Sequence, residues 1–142
     1  MLMKSSRTGG RKLPLVSRVV LDASAILAAI GNEPGGEQIL RHLRDAVVST
    51  VNLAEVKSKL VERGFPPAEA WDAANSFSRT AFDFGPEQAS VVGDLVPSTR
   101  PLGLSLGDRA CLALGIVLKA PVYTADRKWA KLKLDLDIHF IR

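Results

Sequence analysis

Four carboxylates stand where chemistry could be built. Asp22 ends the β-branched run Arg18–Asp22 (RVVLD), and Asp126 follows the apolar Val122–Thr124 after one intervening residue. Glu55 and Asp108 each come three residues after a small polar residue, in Asn52-x-x-Glu55 and Ser105-x-x-Asp108. Carboxylate oxygens gathered at one place bind hard divalent cations, and Mg²⁺ in particular takes few carboxylates, keeps waters and acts on phosphates. The chemistry on offer is therefore metal-assisted hydrolysis of a phosphoester. Each acid also has a plain structural reading. The pairs Asn52/Glu55 and Ser105/Asp108 match the capping box, and Asp22 and Asp126 precede helices that they could N-cap. The two readings part on whether the four side chains converge. Gathered without a counter-ion they would repel, at about 4 kcal/mol for a pair 4 Å apart at an effective dielectric near 20.

The pattern of the chain says that they do converge. Short apolar runs (Arg18–Asp22, Val47–Ser49, Ala81–Phe84, Val122–Thr124, Ile138–Ile141) read as strands. Amphipathic stretches alternate with them: 24–30, 35–45, 52–63, 67–80, 86–96, 105–119 and 127–131. The 105–119 stretch is apolar on nearly every side from Ala110 onward and should be deeply buried. Such alternation predicts an α/β fold: a central, mostly parallel sheet of about five short strands with helices on both faces. Ligands of open α/β sheets bind beyond the carboxyl ends of the strands. All four acids fall there, at strand ends or in the first turn of the helix that follows.

Composition excludes several classes. The longest uncharged apolar run, Ala110–Leu118, has nine residues, against roughly 20 for a membrane span. The single cysteine, Cys111, cannot form an internal disulfide or a zinc site alone and fits a reducing cytoplasm. The net charge of +4 on 142 residues suggests nucleic acid, but its distribution is uneven. Five of the 19 bases (Lys4, Arg7, Arg11, Lys12, Arg18) fall in residues 1–18, which hold no acid; the other 14 face all 15 acids, leaving residues 19–142 at −1. Residues 1–17 therefore read as a basic flexible arm. Its origin stays open between an artefact or start-site extension, a polyanion-holding arm and a targeting segment.

Four segments now stand together in order: Asp22-Ala23-Ser24-Ala25, Asn52-Leu53-Ala54-Glu55, Ser105-Leu106-Gly107-Asp108-Arg109-Ala110-Cys111-Leu112-Ala113 and Tyr123-Thr124-Ala125-Asp126-Arg127-Lys128-Trp129-Ala130. This set resembles the four motifs of PIN-domain ribonucleases, and is most similar to the VapC toxins of bacterial toxin–antitoxin pairs. The resemblance spans residues 18–142, which read as one PIN-like ribonuclease domain. It implies a Mg²⁺- or Mn²⁺-dependent endoribonuclease, with Asp22 and Asp108 contacting metal and Glu55 and Asp126 completing the site. Ser24 and Thr124 match hydroxyl positions beside the acids. Arg109, Arg127 and Lys128 are candidates for RNA phosphates, with a solvated-surface reading beside each. The implied partners are RNA, a cognate antitoxin protein and a second copy of the chain as a homodimer, with no membrane. The 52–63 and 67–80 helices resemble the antitoxin groove, with Phe65, Trp71 and Phe77 as anchors or, alternatively, core.

Other readings remain open at this stage. One is a catalytically weak or inactive PIN-like module that binds RNA or protein. A phospho-acceptor domain would want a second acid near Asp22, where position 24 is Ser24. A DNA nuclease of related fold would want a longer chain. His42 and His139 are isolated in sequence and read as surface or core edge, Cys111 as an inert buried thiol, and Trp129 as packing. The charge split gives a test. Deleting residues 1–17 should weaken nonspecific, salt-sensitive RNA binding more than cleavage. Loss of cleavage with the fold intact would contradict it.

Overall fold

The computed structural model describes residues 17–142. The arm expected over 1–17 lies, apart from Ser17, outside the described residues. Five strands form one sheet: β1 (Val19–Leu21), β2 (Ala46–Ser49), β3 (Thr80–Phe82), β4 (Val122–Thr124) and β5 (Ile138–Phe140). Their spatial order is β3-β2-β1-β4-β5, and every neighbouring pair is parallel. The expected sheet is thus found, wholly parallel among the described residues.

Each short strand is apolar because each is covered twice. Val19 and Leu21 of β1 point to one layer, built by α1 (Ala23–Ile30), α2 (Gly36–Leu40), α3 (Thr50–Glu62) and α4 (Pro67–Ala74). Val20 points to the other, where α7 (Leu106–Leu118) supplies Cys111, Leu112 and Leu114. Outside α7 lies α5 (Pro86–Asp94), with Val92 against Ala110 and Ala113, and then α6 (Val96–Thr99). As expected, α7 is the buried helix; Ala110 to Leu114 are wholly inaccessible. Gly115 lets it approach the sheet, since a Cβ there would lie 2.5 Å from Cγ2 of Val122.

Several boundaries differ from expectation. The 35–45 helix shrinks to α2, because Ile39 is buried while Leu40 and Leu43 stay exposed, so no continuous apolar face holds it. Beyond it the chain tightens into i→i−3 bonds, such as His42 N–H to Ile39 O. The 52–63 helix begins two residues earlier, with Ser49 rather than Asn52 as N-cap, its Oγ accepting from Val51 N–H. The 67–80 helix stops at Ala74, passes through a 3₁₀ turn (Asn75–Phe77) and gives Thr80 to β3, where it pairs with Val47. The 86–96 helix ends at Asp94; Pro97 has no N–H to continue its ladder, and α6 begins instead.

Two of the helical glycines, Gly115 and Gly93, make opposite predictions. Gly115→Ala should destabilise the protein by about 1–3 kcal/mol through overpacking. Gly93→Ala, with nothing within 4 Å of the added methyl, should stabilise it by about 0.5–1 kcal/mol through helix propensity. Urea unfolding of both variants checks the sign.

Candidate active site

The strand order reverses between β1 and β4: the chain runs outward through β2 and β3, then returns to β4 on the other side of β1. Such a switch point opens a crevice at the carboxyl ends of the strands. Asp22 lies there, next after β1, with its N–H bonded to Tyr123 O of β4. Its side chain is almost wholly buried, at 3% exposure, and forms no cap to α1. Two hydroxyls hold it instead. Ser24 Oγ donates to Asp22 Oδ2 at 2.6 Å, and Thr124 Oγ1 donates to the same oxygen at 3.0 Å. An ionised carboxylate has no proton to give, so both bonds run from hydroxyl to Asp22. Ser24 Oγ accepts from Ala125 N–H and Thr124 Oγ1 from Asp126 N–H, so the hydroxyl protons are free for the carboxylate. The sequence singled out both residues, and the structure brings both to Asp22.

Glu55 arrives from the second turn of α3. Its Oε1 accepts from Asn52 Nδ2 at 2.7 Å. Asp108 arrives from the first turn of α7, fixed by a complete capping box: Ser105 N–H donates to Asp108 Oδ2 and Asp108 N–H to Ser105 Oγ. The expected box at Ser105/Asp108 is therefore present, and the expected box at Asn52/Glu55 is not. Asn52 lies inside the helix, fully buried, and also donates to Gly107 O at 3.1 Å. Sequence reasoning missed this role. The signal was Ser49, which closes the AVVS strand and leaves no room for a second cap three residues later.

Asp22, Glu55 and Asp108 lie close enough to feel one another's charge. Burial, aided by the charges of Asp108 and Glu55, raises the Asp22 carboxyl from an ordinary 3.8 to about 6 against the pull of its two hydroxyls. Burial and Asp108 also push Glu55 upward, opposed by the Asn52 bond and Lys59. Cys111, one turn past Asp108, is buried, and burial together with these three acids lifts its thiol well above the ordinary range, as an inert thiol requires. Asp126 is tied in through its backbone N–H on Thr124, while its carboxylate caps the 3₁₀ helix Arg127–Lys131 by accepting from Lys128 N–H. The capping reading thus holds for Asp108 and Asp126 and fails for Asp22 and Glu55.

Among the described residues, no Lys, Arg or His forms an ion pair with any of these four acids. Nor do three of them close around one point as a metal cage would. The donors are all hard carboxylate oxygens lacking a paired cation, in an open cluster. That suits a cation such as Mg²⁺, which keeps most of its water and leans on one or two carboxylates.

Two of the three candidate phosphate-binding bases, Arg109 and Arg127, are engaged elsewhere. Arg109 reaches toward α5, its Nη1 donating to Val92 O at 3.4 Å, and with Arg100 lines a cavity of about 280 Å³. The Arg127 guanidinium lies 4.8 Å over the Phe140 ring and donates to Arg142 O. Lys128 is exposed. His42 and His139, isolated in sequence, are not isolated in space: each ring lies 4.8 Å from the Tyr123 ring, His139 stacked on it and His42 tilted. Trp129 packs, as expected, at 1% exposure. Of the three candidate anchors, Phe77 packs on the core, whereas Phe65 and Trp71 are exposed, with Lys57 Nζ 5.7 Å over the Trp71 ring.

The model of the PIN domain family matches residues 19–134, almost the whole described chain. The chain belongs to the PIN domain family. No curated protein matches the sequence. Among solved structures, this PIN domain is similar to VapBC2 from Rickettsia felis bound to a promoter DNA fragment (TM-score 0.65, 19% identity, covering 84% of this chain and 96% of that one). It is similar to DNA-bound VapBC from Salmonella typhimurium (TM-score 0.68, 14% identity, 89% and 99% covered). A third is VapBC-5 from Mycobacterium tuberculosis, of the VapBC family of toxin–antitoxin systems (TM-score 0.61, 18% identity, 90% and 99% covered). At these identities the likeness is one of fold. No helix among the described residues of this PIN domain is long and apolar enough to cross a membrane.

The buried carboxyl predicts a pH dependence. Folded Asp22 holds its proton more tightly than the unfolded chain does, so it favours folding least once it must ionise. Its contribution is fully present below pH about 4, is lost between about 4 and 6, and is gone above. The total is about 3 kcal/mol. Asp22→Asn keeps an acceptor for both hydroxyls and should erase this component. Urea melts of both proteins from pH 4 to 7, without divalent metal, should show the variant gaining on the wild type as pH rises.

Proposed function

We propose that this PIN domain is a Mg²⁺- or Mn²⁺-dependent endoribonuclease and the toxin component of a toxin–antitoxin pair. The observation that carries the reading is Asp22: a buried carboxylate at the switch point, bonded to hydroxyls and not to a cation, beside Glu55 and Asp108. A structural acid would be paired or capping, and this one is neither. Asp22 and Asp108 are the side chains to contact the ion, with Glu55 completing the site directly or through the ion's waters and Asp126 beside them through Thr124. When bound, the ion supplies Lewis-acid stabilisation and an activated water for hydrolysis of a phosphodiester.

The chain's own residues do the rest. Ser24 and Thr124 both hold Oδ2 of Asp22, leaving Oδ1 with no hydrogen-bond partner among the described residues. The Ser105 box orients Asp108, and Asn52 orients Glu55. RNA phosphates need positive charge, and Arg127 and Lys128 follow Asp126 directly, Lys128 with its side chain free in solvent. The VapBC structures that share this fold support a cognate antitoxin as partner. Exposed Val61, Phe65 and Trp71, grouped at the α3–α4 hairpin, are the apolar anchors for it. On this reading the chain acts in the cytoplasm as a homodimer and forms a hetero-oligomer with its antitoxin.

Two measurements test the reading together. Mn²⁺ should raise the melting temperature of the wild type. Purified protein with Mn²⁺ should cleave RNA, and Asp22→Asn and Asp108→Asn should each lower cleavage about 100-fold or more, the scale for losing one preorganised charged group. Cleavage that is equal in Asp22→Asn and wild type, or no cleavage of any RNA, would leave a binding module without nuclease activity.

A further inference from the structure

Asn52 is a costly residue for its position. It lies inside α3, where Asn is a poor helix former, and the helix is already capped by Ser49. It is completely buried. Both groups that face its amide nitrogen, Glu55 Oε1 and Gly107 O, are acceptors, so the NH₂ must point to them and the orientation of the amide is fixed. That leaves Oδ1 buried without any hydrogen-bond partner. An apolar residue of the same shape would spare that oxygen but would leave the Glu55 carboxylate without its donor, so what the amide secures is the placement of Glu55.

Gly107 completes the arrangement from the other helix. A Cβ on Gly107 would lie 2.6 Å from Cδ and from both carboxylate oxygens of Glu55. The Glu55 carboxylate therefore rests directly on the backbone of α7, one residue before Asp108, and any side chain at 107 would displace it. The amide of Asn52 bridges the two helices at this point, donating to the carboxylate on α3 and to the carbonyl on α7.

We infer that Asn52 is a positioning residue: with Gly107 as its seat, it pins the Glu55 carboxylate to α7 and so sets its separation from Asp108. The inference rests on the metal-dependent reading above and adds to it the element that fixes the acid pair across two helices. Residues of this kind, which orient a metal-binding carboxylate, commonly change metal affinity 10- to 100-fold when removed.

The test uses the full chain and Mn²⁺ alone, titrated by calorimetry, with thermal melting alongside. Asn52→Leu removes the bridge and the unmet oxygen together. It should still unfold in a single cooperative melt, yet bind Mn²⁺ about 10-fold more weakly or worse. Gly107→Ala, which dislodges Glu55 from the opposite side, should give the same loss. In a Glu55→Gln background neither change should weaken Mn²⁺ binding further, because the group being positioned is gone. Wild-type Mn²⁺ affinity in a folded Asn52→Leu or Gly107→Ala variant, with Glu55→Gln impaired, would overturn the inference and spare the metal site. So would losses that simply add to that of Glu55→Gln. Unaltered binding in Glu55→Gln itself would overturn the metal reading and this inference with it.

Discussion

Asp22 occupies the central strand's last connection to the crevice, and it has lost almost all contact with water. Burial penalises its charge, and no cation among the described residues repays it. What keeps the side chain in place is a pair of hydroxyls, each anchored by a backbone N–H from the segment after β4. The arrangement exists only if β1 and β4 are neighbours, which requires the strand order to reverse at that point. The parallel sheet, the helices that cover both its faces and the tight approach of α7 at Gly115 all serve to hold that junction dry and closed.

The remaining acids divide by what the fold asks of them. Asp108 and Asp126 cap helices, and capping gives each a fixed direction as well as a share in helix stability. Glu55 caps nothing and is steered by a side chain instead. A capping role and a site role are thus compatible on one residue. The N-terminal turn of a helix is where a carboxylate is both stabilised by the backbone and delivered to a strand end.

The fold class was legible because alternation is coarse information: five apolar runs and the amphipathic stretches between them survive errors of several residues at each boundary. Val122–Thr124 and Arg127–Lys131 coincide with their expected spans, since Pro121 and the capping Asp126 punctuate them. The failures have local causes. The 35–45 stretch has helical spacing, but Leu40 and Leu43 find no surface to cover them. Thr80 falls in the helical 67–80 stretch despite its β-branched side chain, and its pairing with Val47 puts it in the strand. Asn52 looked like a cap because spacing alone cannot tell the residue before a helix from one inside it. His42, Tyr123 and His139 gave no sign of stacking, because contacts between residues that far apart depend on the sheet and not on any local pattern.

The bond from Thr124 to Asp22 joins residues 102 positions apart in the chain. During synthesis β1, β2 and β3 emerge first, yet the central strand waits for its second neighbour until nearly all of the domain has been made. Until then Asp22 has no hydroxyl from β4, no closed crevice and no Asp126 beside it. The order of translation therefore delivers α3 and α4 long before the strand that completes the acidic crevice, and their layer closes only when Tyr123, Ala125 and Ile141 reach it.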